Sequence, residues 1–178
     1  MRTAAVSVVL EGGGSPMAET ARDDRKLSVT GDDGVTLPAA VSLPVSVPIR
    51  GGLAALHPAG DPSREQCLFR QLADLLPSQG VAVLRFDRRT SADGHDVPLV
   101  IQARDALAAL RTLRQKLRRR GAEGDPPPLL GLWGFSQGAW AAPLAATLST
   151  EVAFLVLAAS TKKAAGGYRL EPVRGCGL

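Results

Sequence analysis

A Gly-x-Ser-x-Gly pattern at residues 134–138 contains Ser136, whose surroundings suit a nucleophile. An apolar, strand-like run at 129–133 precedes it, and an apolar run that predicts a helix over 137–148 follows it. A serine in a tight strand–turn–helix bend presents its hydroxyl at the tip of the turn, where it can attack a carbonyl carbon. The following helix N-terminus favours the negative charge that develops during attack. The alternative is that the pattern forms only a flexible turn.

Two glycines of this pattern, Gly134 and Gly138, have a steric explanation. We expect the bend to be so tight that a side chain at either position would collide with neighbouring backbone. The serine between them would then be held in a strained conformation.

The elements that must position this bend alternate along the chain. Strand-like stretches at 26–30 and 35–43 flank the turn sequence Asp32-Asp33-Gly34 and predict a hairpin. Buried-type strands are predicted at 51–56, 81–86, 129–133 and 152–157. Strands and helices alternate from about residue 51, which predicts an α/β fold with a mostly parallel sheet and helices on both faces.

Two amphipathic helices are predicted between these strands. For the first, we expect Asp61 or Ser63 to cap the N-terminus and Gly80 to end the segment, and its apolar face holds Leu68, Leu72, Leu75 and Leu76. The second covers 99–120, and its inner face holds Leu107, Leu110, Leu113 and Leu117. We predict a flexible leader at 1–24, with Met17 as an alternative start, one domain at 25–160 and an irregular tail at 161–178.

Four segments of the chain, in the right order, resemble the α/β-hydrolase superfamily in its serine-esterase and serine-peptidase-like branch. Residues 134–143 resemble its nucleophile elbow, the bend that carries the attacking serine. The turn His57-Pro58-Ala59-Gly60 is similar to the family's His-Gly-x-Gly oxyanion turn. Residues 85–89, Arg-Phe-Asp-Arg-Arg, are similar to its Arg-Tyr-Asp-x-Arg-Gly segment, and 152–157 resemble the strand after the nucleophile helix.

The resemblance implies roles for particular residues. Ser136 would attack the carbonyl carbon of a small-molecule acyl substrate, which is an ester, thioester or amide. The backbone N–H groups of Ala59 and Gln137 would form the oxyanion hole, and the supporting turns would contain His57, Gly60, Gly134 and Gly138. Pro58 and Thr90 depart from the family pattern, since each stands where the family usually has glycine.

A base for Ser136 is missing from the rest of the sequence. In this family an acid and then a histidine follow the serine, yet no histidine and only Glu151 and Glu171 follow Ser136 here. His95, in a polar loop, is an alternative base. We therefore expect a C-terminally truncated hydrolase of impaired activity. Its 152–157 strand would be an apolar edge through which the chain self-associates.

Two other functions stay open at this point. The first is a non-catalytic α/β-hydrolase scaffold that binds a small ligand or a partner. The second is a nucleotide-binding α/β protein. It is disfavoured because no glycine-rich phosphate loop follows the first buried strand, and Gly12-Gly13-Gly14 precedes the domain.

Composition excludes several classes of partner. The net charge is +4, but much of the positive charge lies at 111–120, where cations complement a helix C-terminus, so we expect no nucleic-acid partner. No apolar run is long enough to span a membrane. The two cysteines, Cys67 and Cys176, have neither metal-like nor disulfide-framework spacing. We expect no metal or cofactor, reduced thiols and a cytoplasmic location.

Overall fold

A computed structural model describes residues 22–120 and 127–158 of the 178-residue chain. The described segments contain six strands: β1 (Arg22–Thr30), β2 (Thr36–Pro44), β3 (Gly51–Leu56), β4 (Val81–Phe86), β5 (Leu129–Phe135) and β6 (Phe154–Ala158). They also contain three α-helices, α1 (Cys67–Leu75), α2 (Leu99–Arg118) and α3 (Gly138–Leu148), and a short 3-10 helix at Pro77–Gln79.

The six strands form one sheet in the order β1-β2-β4-β3-β5-β6. β1 pairs antiparallel with β2, and β2 pairs antiparallel with β4, whereas β4, β3, β5 and β6 are mutually parallel. The predicted α/β class with a mostly parallel sheet is confirmed. The carboxyl ends of β3, β4 and β5 meet at one edge of this sheet, which is where ligands bind in open α/β sheets.

Alternate residues of the central strand β3 pack into two separate hydrophobic cores. Ala54 and Leu56 belong to the larger core with residues of α2 and α3. Leu53 and Ala55 belong to the smaller core with Phe69 of α1 and Trp133 of β5. Because successive side chains of a strand point to opposite faces, α1 covers one face of the sheet while α2 and α3 cover the other.

The predicted hairpin is present, but its first strand begins earlier than expected. Arg22, Asp23 and Asp24, assigned to the flexible leader from sequence, lie in β1 and pair with Pro44, Leu43 and Ser42. Charged residues are tolerated there because β1 is an edge strand with a solvent-facing side. Residues 1–21, including Met17, and residues 159–178 lie outside the described part of the chain.

The helices differ from expectation at their ends and, in α1, also on the predicted apolar face, where Leu75 is exposed while Phe69 and Ala73 are buried. Asp61 and Ser63 do not cap α1, which begins after Gln66 without a side-chain cap. Each instead accepts a hydrogen bond from an amide two residues on, Asp61 Oδ1 from Ser63 N at 2.9 Å and Ser63 Oγ from Glu65 N at 3.1 Å. These local turns compete with capping.

The inner face of α2 forms as predicted, with Leu107, Leu110, Leu113 and Leu117 buried. Its C-terminal cations are partly neutralised by ion pairs. Arg111 pairs with Asp32, Arg114 with Glu151, and Arg120, just after the helix, with Asp23. β5 continues two residues beyond its predicted end, and β6 starts two residues after its predicted start.

Three further findings concern cysteine, metals and membranes. Cys67 is disulfide-bonded, so the expected reduced thiol is wrong at this position. Residues 22–120 and 127–158 contain no cluster of three or more His, Cys, Asp or Glu side chains that could hold a metal ion. None of the helices in these ranges combines the length and apolar character needed to cross a bilayer.

Candidate active site

Ser136 occupies the bend between β5 and α3 in a strained backbone conformation. Its φ of 51° is the only positive φ among the non-glycine residues of the described chain. Such left-handed geometry costs an L-residue about 1–2 kcal/mol and persists only when the surroundings enforce it. Here the Ser136 N–H donates to the Ala158 carbonyl of β6 at 3.0 Å, and its carbonyl accepts from Ala139 N of α3 at 3.0 Å.

The two glycines of the bend are required by close backbone approach. A Cβ on Gly134 would lie 2.3 Å from the carbonyl oxygen of Gly138, and a Cβ on Gly138 would lie 2.5 Å from the Leu56 carbonyl oxygen. Both distances are far below van der Waals contact, so only glycine fits. The second contact also shows that the start of α3 abuts the end of β3.

The His57–Gly60 turn lies beside the Ser136 bend. It follows β3 directly, and Leu56, the last residue of β3, pairs with Gly134 of β5. Ala59 is exposed, while Ser136 and Gln137 are partly exposed. The structure therefore brings the two sequence-predicted oxyanion segments together at the carboxyl ends of neighbouring parallel strands.

His57 is a buried, neutral member of this turn. Its side chain is 2% exposed and its ring makes edge-on contacts with Phe69 at 4.7 Å and Phe86 at 5.6 Å. Burial, reinforced by the positive charge of Arg88, lowers the pKa of His57 to about 3. These features suit an anchor for the turn, and the low pKa makes His57 a poor proton acceptor at neutral pH.

Arg88, which sequence reasoning did not single out, connects the turn to the bend. Its Nη1 donates to the Pro58 carbonyl at 3.1 Å and to Gln137 Oε1. Its Nη2 donates to the Gly60 carbonyl at 2.8 Å and to Asp96 Oδ1. The only sequence signal was a cation two residues after a buried strand, within the 85–89 segment.

The two residues flanking Arg88 have other partners. Asp87 accepts from the Arg64 backbone N–H at 2.8 Å and from Arg64 Nη1 at 2.5 Å, so it holds the segment before α1. Arg89 bonds to Asp105 of α2 and to Asp33 of the β1–β2 turn. Neither residue contacts the Ser136 bend through these bonds.

No base or acid is assembled around Ser136 within the described residues, where no side chain hydrogen-bonds its hydroxyl. The His95 side chain is 82% exposed, and its nearest acidic partner is Asp93, with Nε2 and Oδ2 3.9 Å apart. Glu151 precedes β6, so it lies at the amino ends of the parallel strands, whereas Ser136 lies at their carboxyl ends. Glu151 pairs there with Arg114. Glu171 lies outside the described residues.

Comparison with known proteins gives matches at the level of structure. No model of a protein family matches the sequence, and no curated protein matches it. A dienelactone hydrolase from Anabaena variabilis matches with a TM-score of 0.63 and 22% identity, covering 77% of this chain and 63% of that one. A cold-adapted esterase from an Arctic intertidal metagenomic library matches with a TM-score of 0.59 and 20% identity, covering 83% and 65%.

A third similar structure is brefeldin A esterase, described as a bacterial homologue of human hormone-sensitive lipase. Its TM-score is 0.58 at 22% identity, and the match covers 81% of this chain and 39% of that one. The chain thus spans less than two thirds of the length of each of these three proteins. The mostly parallel six-stranded sheet, the strained serine after β5 and these likenesses lead to one conclusion: this chain has the α/β-hydrolase fold.

Proposed function

We propose that the chain belongs to a serine hydrolase that cleaves an ester, thioester or amide bond through a Ser136 acyl-enzyme. The observation that carries this proposal is the positive φ of Ser136 at the junction of β5 and α3. A catalytically neutral serine has no reason to retain a strained conformation, whereas a nucleophile gains exposure and alignment from it. The esterase and dienelactone hydrolase likenesses point in the same direction.

In the proposed reaction the Ser136 hydroxyl attacks the substrate carbonyl carbon and loses its proton to a base. The carbonyl oxygen becomes negatively charged and accepts hydrogen bonds from the Ala59 and Gln137 N–H groups. The N-terminus of α3 adds favourable potential at the same place. Each oxyanion donor lowers the barrier by about 3–4 kcal/mol in comparable sites. Collapse of this intermediate expels the leaving group, and water then hydrolyses the acyl-enzyme.

Activity of this chain is expected to be impaired. A serine hydroxyl needs a base, and the described residues supply none beside Ser136. The oxyanion hole and substrate binding alone leave an acceleration of about 10³–10⁴ over water. We therefore expect slow single-turnover acylation instead of efficient hydrolysis.

The test is covalent labelling by a fluorophosphonate probe at high concentration and long incubation, because a serine without a base reacts slowly. Intact-protein mass spectrometry and peptide mapping should find the adduct on Ser136 of the wild-type chain, and Ser136→Ala should remove it. Ser91→Ala, which changes an exposed loop serine, is the matched control and should label like wild type. Equal labelling of wild type and Ser136→Ala would overturn the proposal.

A second candidate function is a non-catalytic scaffold that binds a small ligand or partner. It is favoured by one observation, the absence of a hydrogen-bonding side chain beside the Ser136 hydroxyl in residues 22–120 and 127–158. A well-folded protein that takes up no fluorophosphonate at any concentration would support this alternative.

A further inference from the structure

Arg88 uses all four N–H groups on the two terminal nitrogens of its guanidinium, whereas its buried Nε has no hydrogen-bond partner within the described residues. An arginine has five such donors, of which two are on each terminal nitrogen. The four terminal donors match four acceptors, namely the Pro58 and Gly60 carbonyls, Gln137 Oε1 and Asp96 Oδ1. The side chain is 3% exposed, so these bonds form out of contact with water. Charge-assisted bonds of this kind are stronger than neutral ones.

The four acceptors come from three segments that are distant in sequence. Pro58 and Gly60 belong to the turn after β3, Gln137 is the N-cap of α3, and Asp96 lies in the loop before α2. Arg88 itself follows β4. One guanidinium therefore fixes the separation between the turn and the Ser136 bend, and the Asp96 carboxylate balances its charge.

Geometry links these bonds to the Ala59 amide. The Pro58 C=O and the Ala59 N–H share one planar peptide unit, which is trans because the described chain has no cis peptide. In a trans unit the C=O and N–H point in opposite directions. A bond from Arg88 to the Pro58 oxygen therefore turns the Ala59 N–H away from Arg88, and the bond to the Gly60 oxygen holds the Gly60–Asp61 peptide unit on the other side of Ala59.

The second donor is oriented by the helix. The Ser136 carbonyl accepts from Ala139 N, which fixes the peptide unit that carries the Gln137 N–H. Arg88 then holds the Gln137 side chain. One oxyanion donor is thus aimed by Arg88 and the other by α3, while Arg88 connects the two.

We propose that Arg88 is a positioning residue that aims the Ala59 amide and sets its distance from the Gln137 amide. This inference rests on the proposed function, since it assigns those amides to an oxyanion hole. Arg88 does not bind substrate itself, because its four terminal donors are occupied and its side chain is buried. Lysine cannot replace it, because an ammonium has three donors around one nitrogen and no planar fork.

The test compares Arg88→Lys with Arg89→Lys in the full chain. Arg89 is the adjacent arginine, and its hydrogen bonds go to Asp33 and Asp105 and not to the turn or the bend. The first readout is the second-order rate constant of fluorophosphonate labelling. We expect Arg88→Lys to lower it by about 100-fold, as a displacement of about 1 Å in a reacting site does, and Arg89→Lys to leave it unchanged.

The second readout is the ¹⁵N-relaxation order parameter of the Ala59 and Gln137 amides. A rigid backbone amide gives about 0.85 and a flexible one less than about 0.6. We expect Ala59 to fall from the first range to the second in Arg88→Lys and to stay rigid in Arg89→Lys. Gln137, held also by α3, should change less. A general loss of structure would lower both amides and many others, so this pattern identifies positioning.

The two readouts distinguish failure of the serine-hydrolase proposal from failure of the positioning role of Arg88. If wild type and Ser136→Ala label equally, the serine-hydrolase proposal fails, and the order parameter of Ala59 still decides the role of Arg88. If wild type labels on Ser136 but Arg88→Lys labels at the same rate, the positioning role is overturned while the hydrolase proposal stands. An unchanged Ala59 order parameter in Arg88→Lys overturns it in either case.

Discussion

At the scale of single residues, the most informative feature is the conformation of Ser136. Its φ of 51° is stabilised by hydrogen bonds to Ala158 and Ala139 and not by any preference of serine. Strain of this kind is a property of the folded backbone, so it gives a stability test of the site that does not depend on activity.

We predict that Ser136→Gly stabilises the protein by about 1 kcal/mol relative to Ser136→Ala, because glycine adopts positive φ freely and alanine does not. Urea unfolding followed by circular dichroism measures the difference. Neither variant should label with fluorophosphonate. Equal stability of the two variants would mean that the bend is unstrained.

His57 gives a prediction about pH. Its pKa is about 3 in the folded protein, whereas the unfolded chain binds the proton below about pH 6.5. Between these values the unfolded state carries the additional proton, so the free energy of unfolding should fall as the pH is lowered through this window. The contribution of His57 is at most about 1.4 kcal/mol per pH unit.

The measurement is urea unfolding at several pH values from about 7 to 5, above the range where carboxyl groups titrate. His57→Phe should flatten the pH dependence, and His95→Ala, at an exposed position, should leave it intact. An unchanged slope in His57→Phe would contradict a buried neutral histidine.

The scale of helices and strands shows what sequence patterns could and could not predict. The hairpin, the buried strands and the leucine face of α2 were predictable because each depends on local periodicity or turn chemistry. The caps of α1 were not, because Asp61 and Ser63 form local turns that no pattern separates from a cap.

The residues of the candidate site also divide into those that local sequence patterns predict and those that they do not. Ser136, its two glycines and the His57–Gly60 turn were identifiable from local motifs and their resemblance. Arg88 was not, because its bond to Gln137 joins residues 49 positions apart and depends on how β3, β4 and β5 are ordered in the sheet. A contact of that kind is a property of the tertiary structure.

At the same scale, Arg89 anchors α2 to the hairpin through two acids of unequal burial. The Asp105 side chain is 3% exposed and that of Asp33 is 52% exposed. Burial raises the pKa of the Asp105 carboxyl, and the hydrogen bonds and charge of Arg89 oppose this shift. Arg89 and Asp105 therefore form a largely buried ion pair, in which neither charge is stable without the other.

We predict that Asp105→Ala destabilises the protein by about 3–5 kcal/mol, because it leaves a largely buried guanidinium without its buried counter-ion. Asp33→Ala, on the same arginine but exposed, should cost less than about 1 kcal/mol. Urea unfolding compares them. The double variant Arg89→Met, Asp105→Leu should recover much of the loss, and equal costs for the two single variants would refute this account.

On the scale of the whole molecule, the edge of the sheet at β6 is apolar. Within the described residues β6 pairs only with β5, and Val156 and Leu157 are 43% and 44% exposed. An exposed apolar edge offers unpaired backbone groups and side chains to another chain. Self-association through this edge stays a prediction.

We expect the wild-type chain to form dimers or larger species at high concentration, measured by multi-angle light scattering. Val156→Lys should shift it towards monomer, because a charge on an edge strand opposes pairing. Val45→Lys, at an apolar residue that is 60% exposed but lies after β2, is the matched control and should not. A monomeric wild type at every concentration would refute the prediction.

The strand order of the sheet also bears on how the chain acquires its structure. β3 lies between β4 and β5, and its second neighbour begins at Leu129, 78 positions after Gly51. During synthesis, β3 can pair with β4 long before β5 emerges, so one side of the most buried strand stays unsatisfied while α2 is being made. Closing that long loop is entropically costly and slow. The residues proposed for the active site therefore come together only when β5 pairs with β3. Ser136 follows β5 in the chain, whereas Ala59 and Arg88 belong to segments that are synthesised earlier.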